Sequence, residues 1–351
     1  MKLKDLGFDP WFEAHAAEMR QEHSSLARIS AVDRGAYLIK DESRELPAEL
    51  SGKLSYQIES PLELPCVGDW VTVQYYNDDT AAIIHRVLPR KTWLRRKTAG
   101  DKIDLQMIAA NIDTAFIVQS CHFDFNLRRL DRYLVMAADG HVQPVVMLTK
   151  TDLIPPDELE QKIAIVHSAT KAIVLALSNV TGTGFEAFQQ MLSPGKTYCL
   201  LGSSGVGKTT LVNRLIGQDA YDTQAVSATG EGTHTTSRRQ LIVLSQDALL
   251  IDTPGMRELG IVGAGEGIDL GFEEFAALSE NCRYANCSHE REPGCAIQAA
   301  IAKGEVSAER YASYLKLKKE SAHYEMSYLD KRKKDKAFGR FVKSVKKQMK
   351  N

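Results

Sequence analysis

The sequence predicts a multidomain chain with an N-terminal β-barrel, a central α/β unit on a parallel sheet, and a mostly helical C-terminal unit. Three observations predict it. From Leu26 to about Lys97, short alternating apolar runs are separated by turn residues. From about Ile108 to Val262, apolar strand runs alternate with amphipathic helical stretches. Beyond Gly263 the pattern is helical except for one segment crowded with cysteines. At 351 residues the chain is too long for one compact domain by the usual length prior.

Composition narrows the class. The chain is 44% hydrophobic and 25% charged, ordinary for a globular protein, and carries no low-complexity tract or short repeat. No apolar run reaches the length needed to span a bilayer, and "MKLKDLGFDPWFEAHAAEMR" is too acidic and interrupted for a secretory signal. A cytoplasmic protein with no membrane association is therefore expected. The net charge of −1 hides an asymmetry, since Lys331 to Lys350 is densely basic with Asp335 as its one acid. Such a run suits a polyanion.

Residues 1–25 read as a helical or loose lead-in. Residues 26–105 read as the barrel, with strand runs "LARISAV", "GAYLIKD", "GDWVTVQYY" and "AAIIHRVL". An oligonucleotide-binding (OB) barrel is suggested by the exit segment "PRKTWLRRK", where Arg90, Lys91, Arg95, Arg96 and Lys97 surround Trp93. Cations for phosphates with an aromatic for stacking suit RNA. Residues 106–262 form the α/β unit. Its strands are "DTAFIVQS", "QPVVMLT", "AIVLALS", "TYCLLG" and "ALLIDT", and "NLRRLDRYLVMAAD" is a helix between the first two. Residues 263–351 form the helical unit, with a long helix expected from "AERYASYLKLKK" onward.

The chemistry sits in the α/β unit. Gly202, Ser203, Ser204, Gly205, Val206, Gly207, Lys208 and Thr209 fit G-x-x-x-x-G-K-[ST] after a strand and at the start of the helix "TTLVNRLIG", which also brings Thr210. Glycines let backbone N–H groups turn inward around phosphates. Lys208 is placed for the β- and γ-phosphates and Thr209 for Mg²⁺. "TKTD" follows the strand "PVVML": Asp152 accepts from the two guanine edge donors, and the Lys150 stem covers the base. Adenine lacks that donor pair, so GTP is favoured over ATP. Thr149 stands where the general motif has Asn.

Ser178 and Asn179 end the next strand, where the loop backing the base belongs, with Asn179 in place of the usual Ala. In "IDTPG", Asp252 is a Mg²⁺ partner through water and the Gly255 amide senses the γ-phosphate. "GEGTHTTSRR" has the composition of a first switch, with Thr235 or Thr236 completing Mg²⁺ coordination. The parts run base motif, base-backing loop, phosphate loop, first switch, second switch. That order is a circular permutation of a P-loop GTPase domain, and it leads the second switch almost directly into the C-terminal unit.

In "CRYANCSHEREPGC", Cys282, Cys287, His289 and Cys295 are spaced C-x4-C-x-H-x5-C. Three thiolates and an imidazole make a closed tetrahedral zinc site with a structural role. Cys66, Cys121 and Cys199 lie in apolar or mixed runs and read as core thiols.

Together, the barrel, "GSSGVGKT", "DTPGMRE", "GTHTTSRR", the zinc spacing and "KRKKDKAFGR" resemble the small ribosomal subunit biogenesis GTPases of the RsgA family along nearly the whole chain. The resemblance implies an OB-fold domain, a GTPase stimulated by the small ribosomal subunit, a zinc domain contacting rRNA, and a role in late subunit maturation. The lead-in lacks the basic stretch of some members, and Glu231 and Thr233 depart from the family's first switch. Ras-type enzymes orient water with a Gln just after the second-switch glycine, where this chain has Met256. His234 in the first switch is the catalytic candidate with Lys208, and the resemblance points the same way. Two functions follow: a ribosome-activated GTPase acting as a monomer with GTP, GDP and rRNA as partners, or a GTP-gated RNA/ribosome-binding module in which hydrolysis is incidental. An ATPase is disfavoured by Asp152.

Overall fold

The computed structural model describes residues 1–19, 24–33, 35–97, 105–217, 239–252, 265–322 and 330. His234, Thr235, Thr236, Gly255 and the basic run from Lys331 lie outside the described residues.

A 3-10 turn at Leu3–Leu6 leads into α1, Pro10–Met19. This lead-in is not loose, because Phe8 and Phe12 pack on Trp70 with ring centroids 4.8 and 6.0 Å away. The barrel follows with β1 (Ser25–Asp33), β2 (Ala36–Lys40), β3 (Glu45–Leu50), α2 (Gly52–Gln57), β4 (Trp70–Tyr76) and β5 (Ala81–Val87). Strand β1 pairs with both β2 and β4, so the order β1-β2-β3-β5-β4 closes on itself. Alternate residues fill the inside, among them Ile29, Ile39, Leu46, Val71, Val73 and Ile84. Strand β3 carries Pro47, a poor strand residue. Pro47 faces Leu38 of β2, and pairing with β5 begins only at Ala48, so the missing N–H costs little.

Strands β6 (Trp93–Lys97) and β7 (Leu105–Ala110) pair with each other and carry the chain from barrel to α/β unit. The unit continues with β8 (Thr114–Ser120), α3 (Leu127–Asp139), β9 (Gln143–Thr149), α4 (Pro156–Ala169), β10 (Ile173–Ala176), α5 (Phe185–Gln190), β11 (Thr197–Leu201), α6 (Lys208–Ile216), β12 (Arg239–Val243) and β13 (Leu249–Asp252). Its strand order is β10-β9-β8-β11-β13-β12, parallel except for β12. Both faces are apolar. Ala115, Ile117, Cys199 and Leu201 pack on the side of α3 and α4, while Phe116, Val118, Tyr198 and Leu200 pack on the side of α5 and α6. Strand β12 also pairs with β1, Ala31 opposite Gln240, so the sheet runs on into the barrel.

The C-terminal unit holds α7 (Gly265–Gly271), α8 (Glu273–Ser279), α9 (Ala296–Ala302) and a helix over residues 308–322. Ile268, Phe272, Phe275, Ile297 and Tyr314 form its core together with Val135 of α3. Helix α7 lies so close to α3 that a Cβ on Gly267 would stand 2.7 Å from the Asp139 Cβ. Among the described residues no helix is long and apolar enough to cross a membrane.

Candidate functional site

Strands β8, β9, β10, β11 and β13 are parallel and release their loops along one edge of the sheet. Open α/β sheets bind ligands at that carboxyl edge.

The loop after β11 is built on left-handed glycines. Gly205 and Gly207 have φ of 79° and 97°, and Gly207 is the N-cap of α6. A Cβ on Gly202 would lie 2.3 Å from the Val118 carbonyl oxygen, so only glycine lets the loop leave beside β8. Lys208 folds back to donate to the carbonyl oxygens of Gly202 at 2.8 Å and Ser203 at 2.5 Å. Burial pushes its ammonium down to about 8, against the pull of Asp252 and Asp124. Thr209 and Thr210 are exposed at the helix start, and Asp252 ends β13.

The loop after β9 is pinned to this one. Thr149 is fully buried and its hydroxyl donates to the Val206 carbonyl at 2.7 Å, with the Gln119 carbonyl at 3.2 Å. Lys150 is left-handed with φ 60°, which starts the 3-10 turn carrying Asp152. Ser178 donates its hydroxyl to Asp152 Oδ1 at 2.5 Å and accepts from the Val180 and Thr181 amides at 3.1 Å each. The Asp152 carboxylate is thereby oriented through Oδ1. Asn179 Nδ2 donates to the Gly207 carbonyl at 3.3 Å, closing a second tie between the base-backing and phosphate loops. Thr149, Lys150, Asp152, Ser178 and Asn179 thus meet residues 202–208 at one place. Their chemistry suits a ligand with a hydrogen-bond-donating base edge and a phosphate chain.

Two neighbours of this site carry no sequence signal. Arg129, in the first turn of α3, donates to the Ser203 hydroxyl and pairs with Asp124. No motif position marks either residue.

In the C-terminal unit, the Cys282, Cys287, His289 and Cys295 donor atoms all lie within 4.8 Å of one another. Cys282 Sγ is 3.4 Å from His289 Nδ1 and 4.0 Å from Cys295 Sγ, and Cys295 Sγ is 3.7 Å from His289 Nδ1. A zinc tetrahedron with bonds of about 2.0–2.3 Å has edges of roughly 3.5–3.8 Å, so the donor set fits that ion. Outer partners are in place as well. The Ala296 amide donates to Cys282 Sγ at 3.4 Å, and Gln298 and the Tyr311 hydroxyl hold the His289 carbonyl at 2.7 and 2.5 Å. Cys66, Cys121 and Cys199 are buried, and burial raises the pKa of each thiol.

Among the cations expected to face a nucleic acid, Arg90, Lys91 and Arg95 form ion pairs within the protein. Arg90 pairs with buried Asp69 at 2.7 Å, Lys91 with Asp9, and Arg95 with Asp139 at 2.8 Å. Trp93 sits edge-on to His141 at 5.2 Å. These pairs tie the segment to the barrel, the lead-in and α3.

The family model described as RsgA GTPase matches residues 87–262. The chain is 40% identical over 333 residues to the small ribosomal subunit biogenesis GTPase RsgA of Opitutus terrae, covering 92% of this chain and 90% of that one. It is 42% identical over 310 residues to RsgA 2 of Lactiplantibacillus plantarum, covering 88% and 86%. Among solved structures, YjeQ from Thermotoga maritima matches with a TM-score of 0.64 at 25% identity, over 84% of this chain and 97% of that one. YloQ, described as a circularly permuted GTPase, matches with a TM-score of 0.59 at 24% identity, over 85% and 96%, and supports the fold.

Proposed function

Because the chain belongs to the RsgA family of GTPases, we propose that it hydrolyses GTP to GDP and phosphate in small ribosomal subunit biogenesis. Its turnover is raised by the small subunit, and it acts at a late maturation step while bound to rRNA. Residues 26–105 and 263–351 are the rRNA-facing units around the nucleotide unit, 106–262, in a cytoplasmic monomer.

The observation that carries this reading is the pair of ties, Thr149 to Val206 and Asn179 to Gly207, that fasten the base-reading loops onto the phosphate loop. Asp152 accepts from the guanine edge, oriented by Ser178, and the Lys150 stem covers the base. Backbone N–H groups of 202–207 cradle the phosphates. Lys208 leaves the loop carbonyls for the β- and γ-phosphates, gaining a charge-assisted bond only when nucleotide arrives. Thr209, Asp252 and Thr235 or Thr236 hold Mg²⁺, which when bound neutralises charge on the phosphate oxygens. Gly255 contacts the γ-phosphate and His234 orients the attacking water. Cys282, Cys287, His289 and Cys295 hold one structural zinc.

The base assignment is tested by nucleotide selectivity. Wild-type protein is expected to bind GDP far more tightly than ADP, and Asp152→Asn to favour xanthosine diphosphate, whose C2 carbonyl matches an amide donor. Equal affinity of the wild type for ADP and GDP would remove the guanine reading. A GTP-gated RNA-binding module is the second reading, favoured by Met256 where a water-orienting Gln is usual. Multiple turnovers on small subunits argue against it.

A further inference from the structure

The phosphate loop is gripped from an unexpected side. The pattern G-x-x-x-x-G-K-[ST] leaves its second position open, since the cradle there is made of backbone N–H groups. In this chain the position is Ser203, whose carbonyl takes Lys208 at 2.5 Å and whose hydroxyl takes Arg129. The same guanidinium pairs with Asp124, whose other oxygen, Oδ2, is buried and has no hydrogen-bond partner among the described residues. Asp124 is also close enough to act on the charge of Lys208. A carboxylate so near the phosphate loop opposes an incoming polyanion unless a cation offsets it.

Arg129 has a fixed base from which to act. Asn126 caps α3, accepting from the Arg129 amide at 3.1 Å. Two residues on, the buried Asp131 accepts from Arg310 at 2.9 Å, and Arg132 grips Glu320 of the C-terminal helix at 2.9 and 2.5 Å. Helix α3 is therefore clamped to the C-terminal unit while its first turn holds the nucleotide loop.

We propose that Arg129 is a positioning residue of the phosphate loop: from the clamped helix α3 it fixes Ser203, and with it the backbone around Lys208, while neutralising Asp124 beside the nucleotide phosphates. This rests on the assignment of residues 202–208 to GTP. Neither the loop pattern nor the base motif requires an arginine here. The role is in nucleotide retention rather than in the chemical step, because Arg129 acts through Ser203 and Asp124.

The test uses full-length protein, release of a fluorescent GDP analogue, and KM and kcat for GTP. Arg129→Ala and Ser203→Ala are each expected to release GDP at least about tenfold faster, the size of a lost charge-assisted hydrogen bond. KM should rise while kcat stays close to wild type. The double variant should be no faster than Arg129→Ala, since both remove one interaction. Arg129→Lys keeps the charge without the fork and should fall between wild type and Ala. Adding Asp124→Asn to Arg129→Ala should slow release again. Release from Arg129→Ala at the wild-type rate, or multiplying effects of Arg129→Ala and Ser203→Ala, would overturn the proposal. Failure of the wild type to retain the GDP analogue would instead strike the phosphate-loop assignment itself.

Discussion

The hydroxyl of Thr149 donates to the carbonyl oxygen of Val206 at 2.7 Å, joining two loops 57 residues apart. Permuting a chain moves the cut but not the sheet, so the loop after β9 still meets the loop after β11. Threonine stands where asparagine is general, and its one proton goes chiefly to the shorter of two contacts. Thr149→Val keeps the shape and removes the donor. It leaves a buried carbonyl unpaired, at a cost of about 1–3 kcal/mol. GDP affinity by titration calorimetry is expected to fall roughly tenfold, with little change in fold by circular dichroism.

Burial disfavours the charge of the Lys208 ammonium and pushes its pKa down to about 8. Phosphates favour the charged form, so binding above that pH takes up a proton. GDP affinity should be level well below pH 8 and fall by up to about tenfold per pH unit above it. Calorimetry at pH 8 in buffers of different ionisation enthalpy reads the proton directly. Lys208→Arg, always charged, should take up none at this site.

Cys295 is buried beside Phe275 and Tyr311 as well as in the donor set. Cys295→Ser is expected to reduce zinc from one per chain to well below one, since a structural site contributes on the order of 10 kcal/mol of apparent binding energy. Hydrogen exchange across residues 282–302 should rise sharply. Unchanged metal content would remove zinc from the structural role given to this cluster.

His234→Ala should lower ribosome-stimulated kcat by about 10²- to 10⁴-fold, the range for a lost general acid–base or water-positioning group. KM for GTP should move little. Stimulated turnover at the wild-type level would reassign the catalytic role.

What the sequence made legible depended on whether the signal was local. Strand β9 at Gln143–Thr149, helix α3 behind its Asn126 cap, and the glycine-rich loop before α6 each carry their own periodicity or spacing. Strand β3 was hidden by Pro47. The join between sheet and barrel, Val32 opposite Arg239, is backbone pairing between residues far apart and has no side-chain code. Arg28 shows the same limit. It is buried in the barrel yet donates to Leu6, Gly68, Asn111 and Thr197, tying four segments that no pattern links. In the site, the loops that Thr149, Asn179 and Lys208 bring together carry spacings that phosphate and base chemistry constrain. Arg129 and Asp124 carry no such spacing, because their partners come together only through the fold.

The most direct measurement is GTP hydrolysis by the purified full-length protein, alone and with equimolar small subunits, large subunits or naked rRNA. Slow intrinsic turnover, raised strongly by small subunits and not by the other two, is the expected result. GTP-dependent binding to small subunits with no rise in turnover would contradict a ribosome-stimulated enzyme.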